Sequence, residues 1–144
     1  MKTVFNEYEI DDDLARVDFC RVHDWLSHTY WTPGIELWKV KQAAEHSTLV
    51  AGVYKGSAQV AYARIVSDTI RFAYLADVYV DDAHRGRGIA QALVGFLQDH
   101  PLLELIPHIT LKTLDAQPLY AKLGFEPLGD PEKWMRWKRD PEAC

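Results

Sequence analysis

Three apolar runs follow one another through the middle of the chain: Thr48 to Tyr54, Ala58 to Val66 and Phe72 to Val80. Each is rich in β-branched or aromatic residues, and the breaks between them carry Lys55-Gly56-Ser57 and Ser67-Asp68-Thr69. Glycine and small polar residues at such breaks are turn chemistry. Three antiparallel strands follow, and the remaining segments must cover the faces of that sheet or extend its edges.

Ahead of the strands the period is helical. Ala15, Phe19, Val22, Leu26 and Thr29 recur at alternating spacings of four and three behind the acidic Asp11-Asp12-Asp13, which predicts a helix over about residues 13 to 29. Tyr30 and Trp31 stand at its end. Thr32-Pro33 has the form of an N-cap with proline at the first helical position, and Leu37, Val40 and Ala44 continue one face to about residue 45. After the strands, Ile89 to Leu97 predicts a helix stopped by Pro101. A strand at about 108 to 113 comes next, then a short helix from Asp115 to Leu123, with Asp115 as cap, Pro118 in its first turn and Gly124 closing it. A last strand is expected at about 134 to 139. The order predicts an α+β fold, an α/β mixed sheet that is mostly antiparallel, with two N-terminal helices and one parallel crossover from Phe72 to Thr113. Residues 1–144 are expected to form a single domain.

Composition agrees. A chain of 144 residues that is 48% hydrophobic, with five Trp, seven Tyr and five Phe, can bury a core without disulfides and is not disordered. Sixteen basic against 21 acidic residues argue against a protein that coats nucleic acid. The basic, aromatic stretch Trp134 to Arg139 is read as a strand with a solvated face rather than an RNA contact. No apolar run of about 18 residues exists, and the N-terminus turns acidic before one could form, so no membrane association is expected. Cys20 and Cys144 make no disulfide framework, which fits a reducing compartment, and the expected location is cytoplasmic. No metal site is expected, since the six His are scattered and Cys20 with His23 reads as packing.

The segment from Leu75 to Ala90 carries the strongest functional signal. Leu75-Ala76-Asp77-Val78-Tyr79-Val80 reads as a strand, Asp81 to Gly88 as a tight polar loop, and Ile89-Ala90 as a helix start. Gly86 and Gly88 let the backbone turn sharply and approach a ligand, and the first N–H groups of the helix have no partner within it. With Arg85 and Arg87 alongside, the loop suits a phosphate or pyrophosphate. The dinucleotide pattern G-x-G-x-x-G fails because Gln91 stands three residues after Gly88, and no G-x-x-x-x-G-K-[ST] occurs.

Arg85-Gly86-Arg87-Gly88-Ile89-Ala90 resembles the Arg/Gln-x-x-Gly-x-Gly/Ala loop of the GNAT superfamily of N-acetyltransferases. Leu119-Tyr120-Ala121-Lys122-Leu123-Gly124-Phe125 resembles a second segment of that family, and the likeness extends over roughly residues 8 to 139. It implies a GNAT-like acyl-CoA N-acyltransferase fold with acetyl-CoA as co-substrate. Its pyrophosphate would lie on the N–H groups of Arg85, Gly86, Arg87, Gly88, Ile89 and Ala90, and its pantetheine arm along Val78, Tyr79 and Val80. Many members carry an asparagine seven residues before the motif tyrosine, where this chain has Thr113.

The implied reaction is attack of an amine on a thioester. It needs a neutral amine, a donor for the carbonyl oxygen and a proton for the thiolate. The resemblance assigns the proton to Tyr120, whose phenol stays protonated at neutral pH, and the donor to a backbone N–H near Val78. Asp77 has two readings. An apolar setting raises a carboxylate towards the range of a general base, whereas Arg64 on the preceding strand would make it half of an ion pair. Tyr30 and Trp31, with Arg64, are placed on the acceptor side, although the two aromatics fit equally well as packing between the helices. His84 is read as a surface residue. The implied enzyme is a monomer or homodimer acting on a small-molecule or exposed amine. A CoA-binding sensor without turnover and a transferase of longer acyl chains are the alternatives.

Overall fold

The computed structural model describes residues 1–141. A single sheet of six strands, lying side by side in chain order, organises everything else. β1 (Lys2–Phe5) and β2 (Tyr8–Asp11) form an N-terminal hairpin that the sequence pattern does not predict. The chain turns between them at Asn6, whose φ of 53° is a left-handed position that asparagine tolerates. β3 (Leu49–Lys55), β4 (Ala58–Ser67) and β5 (Ala73–Val80) are the three antiparallel strands expected from the apolar runs. β6 (Ile109–Thr110) completes the parallel crossover by pairing with β5 at Ala73 and Tyr74, and is shorter than the 108–113 expected.

The helices also depart from their expected bounds, and side-chain caps explain why. Asp13 caps a short 3-10 turn at Leu14–Arg16, and the chain then becomes extended at Val17. Asp18 starts α1 (Phe19–Leu26) by accepting the Arg21 N–H at 3.1 Å, while Gln59 on β4 holds the break by accepting the Asp18 N–H at 2.8 Å. α2 (Leu37–Glu45) does not begin at Thr32-Pro33, because the Thr32 hydroxyl donates to Leu26 O at 3.0 Å and finishes α1 instead. α3 (Ile89–Gln98) lies where its pattern places it. Asp115 does not cap α4 (Gln117–Ala121), which begins after Ala116 without a side-chain cap; the Thr113 hydroxyl accepts the Ala116 N–H at 3.1 Å in the turn before it. Residues 134–139 form no strand: all six are exposed, so no face of the segment is buried against the sheet. Cys144 lies outside the described residues.

Both faces of the sheet are covered. α1 and α2 pack Val22, Trp25, Leu26, Val40 and Ala44 against Val50 and Tyr62. On the other face α3 packs Ile89, Leu93, Val94, Phe96 and Leu97 onto Leu49, Ala51, Val53 and Ile65. Burial on two sides is why the strands read as apolar runs rather than strict alternation. A helix of 10 residues is marginal alone. Each large apolar side chain it buries is worth about 1.5–3 kcal/mol before entropy is counted, so the sheet fixes α3 and with it the position of its first turn.

The turn from β4 to β5 is held by one carboxylate. Asp68 Oδ1 accepts the N–H groups of Arg71 at 2.7 Å, Ile70 at 2.9 Å and Phe72 at 3.0 Å, which hold its carboxyl below the ordinary aspartate value. A depressed carboxyl stabilises the fold above its unfolded pKa of about 3.9 and loses that contribution as pH falls through the lower folded value. Asp68→Asn is therefore expected to be less stable than the parent at neutral pH, with the gap closing below about pH 4. Denaturant midpoints across that range check this, and a gap independent of pH would contradict it.

Candidate functional site

β4 and β5 are in register at Arg64↔Ala76 and again at Tyr62↔Tyr79. Between these points Asp77 and Val78 stand opposite the single residue Ala63, which makes a β-bulge. Asp77 has φ 57°, a left-handed conformation that costs a non-glycine residue about 1–2 kcal/mol. Its carboxylate is anchored on both oxygens: Oδ2 accepts Arg64 Nε at 2.8 Å and Oδ1 accepts Trp31 Nε1 at 2.9 Å. Arg64 donates in turn to Ser47 Oγ at 3.3 Å. The ion-pair reading of Asp77 thus describes its surroundings, and Arg64 faces Asp77 and Ser47. β6 pairs with β5 only at Ala73 and Tyr74, so among the described residues β5 from Ala76 to Val80 has no strand beside it on that side.

β5 leads into the glycine loop. Gly86 and Gly88 have φ 77° and 78°, and Gly88 is the N-cap of α3 without a side-chain cap. The first intrahelical bond runs from Ala92 N–H to Gly88 O at 3.0 Å, which leaves the N–H groups of Ile89, Ala90 and Gln91 without helical acceptors. Ile89 sends its side chain into the core, so its polar contribution to the loop is backbone alone. Arg85 folds back over β5: its Nε donates to Val80 O at 3.1 Å, it pairs with Asp82 at 2.9 Å, and its guanidinium lies 5.2 Å from the Tyr79 ring centre. Trp25 stacks on Tyr79 at 5.3 Å. Arg87 donates to Glu7 Oε1 at 3.3 Å and to the Tyr8 hydroxyl at 3.0 Å. Each loop arginine therefore has an acidic partner.

Tyr30 and Trp31 lie in the loop between α1 and α2, and neither joins the apolar cluster beneath those helices. Trp31 reaches Asp77 on β5, while the Tyr30 hydroxyl accepts the Leu114 N–H at 3.0 Å on the segment after β6. The pair, ring centres 5.0 Å apart and perpendicular, thus spans both sides of the opening between β5 and β6. Tyr120 on α4 is buried in the same cluster that Val78 packs against. Burial, with the Tyr30 phenol beside it, pushes the Tyr120 phenol up to about 12. Thr113 keeps its hydroxyl proton as a donor while accepting the Ala116 N–H. His84 does not stand alone at the surface, since its Nδ1 lies 2.9 Å from the Tyr8 hydroxyl. Glu7 and Tyr8 are the neighbours of the loop that sequence reasoning overlooks. Their signal is the alternation of Thr3-Val4-Phe5 and Tyr8-Glu9-Ile10 about Asn6.

Comparison with known proteins points one way. Residues 44–127 match the model of the GNAT acetyltransferase domain. A GNAT-family protein from Xanthomonas campestris pv. campestris is 37% identical in sequence, with a TM-score of 0.89 over 94% of this chain and 96% of that one. A Clostridium acetobutylicum structure containing acetyl-CoA shares the fold at 18% identity, with a TM-score of 0.66 over 96% of each chain. Glucosamine-6-phosphate N-acetyltransferase from Arabidopsis thaliana shares it at 15% identity, with a TM-score of 0.65 over 94% of this chain and 99% of that one. None of the curated proteins compared with the chain matches it.

Gly86 offers a direct test of the loop. A methyl group added there would meet no atom within 4 Å, so any cost comes from its φ of 77°. Gly86→Ala is expected to lower stability by about 1–2 kcal/mol. Denaturant unfolding measures it, and an unchanged midpoint would mean that the loop relaxes to negative φ.

Proposed function

The chain belongs to the GNAT acetyltransferase family, and from that premise we propose that it transfers the acetyl group of acetyl-CoA to a primary amine by direct attack in a ternary complex. One observation carries the reading: the open edge of β5, bent at Asp77, runs straight into two left-handed glycines and an uncapped helix N-terminus. A pyrophosphate needs converging N–H donors, and an amide-bearing arm needs an unpaired strand. These residues fit both. The backbone from Arg85 through Gly86, Arg87, Gly88 and Ile89 to Ala90 would hold the pyrophosphate, and Val78, Tyr79 and Val80 would hold the arm. The Arg85 side chain, turned onto Tyr79 and Val80, would keep that strand in place.

Bound acetyl-CoA supplies a thioester carbonyl open to attack by an amine. The Val78 N–H, at the bulge, is the donor assigned to charge developing on the carbonyl oxygen. The Tyr120 hydroxyl is assigned to the departing sulfur. A phenol near 12 is a weaker acid than a thiol of ordinary pKa about 8.5, so complete transfer from Tyr120 alone would be uphill by roughly 5 kcal/mol. Tyr120 therefore donates a hydrogen bond as charge develops, and the thiolate takes up the proton that the nitrogen sheds, after attack, as the amide forms. Asp77, with both oxygens occupied, holds the bulge and Trp31 in place, and the ammonium form of the acceptor loses its proton to water before attack. Tyr30 and Trp31 face the acceptor, and Arg64 acts through Asp77. The net charge of -5 favours a cationic acceptor.

Acetyl-CoA at about 100 times its Kd is expected to stabilise the protein by roughly 2.7 kcal/mol, seen as a rise in Tm of several degrees. No rise at millimolar concentration overturns the assignment. Tyr120→Phe is expected to reduce kcat about 100-fold with little change in acetyl-CoA affinity. Undiminished turnover would remove Tyr120 from the reaction.

A further inference from the structure

We propose that Tyr8 is a positioning residue for the glycine loop, holding Arg87 and His84 in the arrangement that receives the pyrophosphate; this rests on the acetyl-CoA reading above. Tyr8 lies on β2, outside the residues 44–127 that match the family model. Its ring is 2% exposed, packed in the core with Ile10 and Leu93. Its hydroxyl emerges between two loop side chains, 3.0 Å from Arg87 Nη1 and 2.9 Å from His84 Nδ1.

A guanidinium can only donate, so the phenol oxygen accepts from Arg87, and it meets His84 Nδ1 as donor or acceptor according to the imidazole tautomer. One oxygen, fixed by the sheet, thereby ties the two side chains that bracket Arg85 and Gly86. The His84 ring also meets the Tyr8 ring edge to face, with centres 5.6 Å apart. The rest of the hairpin reinforces the hold: a Cβ on Gly88 would stand 3.5 Å from Phe5 Cζ, and Glu7 reaches Arg87.

A loop with two left-handed glycines loses much conformational freedom when a ligand orders it. Anchoring on Tyr8 places that cost in folding rather than in binding, which raises affinity. Glu7 is the weaker tie. Its pair with Arg87 is about half exposed on both sides, and Glu7 also meets Lys55 at 3.4 Å. Exposed pairs of this kind contribute little, so Arg87 can exchange Glu7 for phosphate while staying on Tyr8.

Tyr8→Phe removes only the hydroxyl. Titrated with acetyl-CoA, it is expected to bind about five- to tenfold more weakly than the parent, as for one lost hydrogen bond of ordinary strength. In an Arg87→Ala background the same change is expected to weaken binding less than it does in the parent, because the Arg87 contact is already gone and only the one to His84 is left to lose. In the ligand-free protein, amide exchange at residues 85 to 88 is expected to quicken in both Tyr8→Phe and Arg87→Ala, and the latter leaves the core untouched. Equal affinity of Tyr8→Phe and parent, an undiminished effect in the Arg87→Ala background, or unchanged exchange in both variants overturns the positioning role. A parent that binds no acetyl-CoA overturns the functional reading and this inference with it.

Discussion

The Asp77 carboxylate holds β5 in a backbone conformation that the strand would not adopt unaided. A left-handed aspartate costs about 1–2 kcal/mol, and the ion pair with Arg64 and the hydrogen bond from Trp31 together exceed it, since hydrogen bonds to charged groups are worth about 1.5–3 kcal/mol each. The bulge that results sets two residues of β5 against one of β4 and bends the strand. Pairing with β6 is confined to Ala73 and Tyr74. The open edge, the position of Val78 and the seat of Trp31 all follow from that one residue.

Charge at the glycine loop is not what the sequence suggests. Arg85 and Arg87 read as a local basic patch in an acidic chain, but Asp82 and Glu7 stand against them. What remains for an anion is the α3 N-terminus, with free N–H groups and no carboxylate in its first turn. The two arginine pairs are largely exposed and so cost little to exchange. The charge of the two loop arginines is thus balanced by carboxylates that an anion could displace.

Much of this was legible in the residues. The runs ending at Tyr54, Val66 and Val80 declared β3 to β5 because turn residues bounded them, and Gly86 and Gly88 marked the loop because their φ admits almost nothing else. The hairpin was not, because four-residue strands carry little periodicity and the aspartates after Ile10 read as a helix cap. Thr32 misled, since a threonine between two helices can serve either one and tertiary position decides. Nothing local announces that Asp77 is left-handed. That state depends on Arg64 and Trp31, which stand 13 and 46 residues away in the chain.

The placement of Tyr30 and Trp31 follows from the same anchoring. Trp31 is tied to β5 and Tyr30 to the segment after β6, so two adjacent aromatics bridge the strands whose separation makes the site. The central claim is that acetyl-CoA lies in that separation, with its arm on β5 and its pyrophosphate on the loop. Backbone amide exchange with and without acetyl-CoA tests this most directly. Strong new protection is expected at residues 78 to 80 and 86 to 91, and protection confined to other segments would place the cofactor elsewhere.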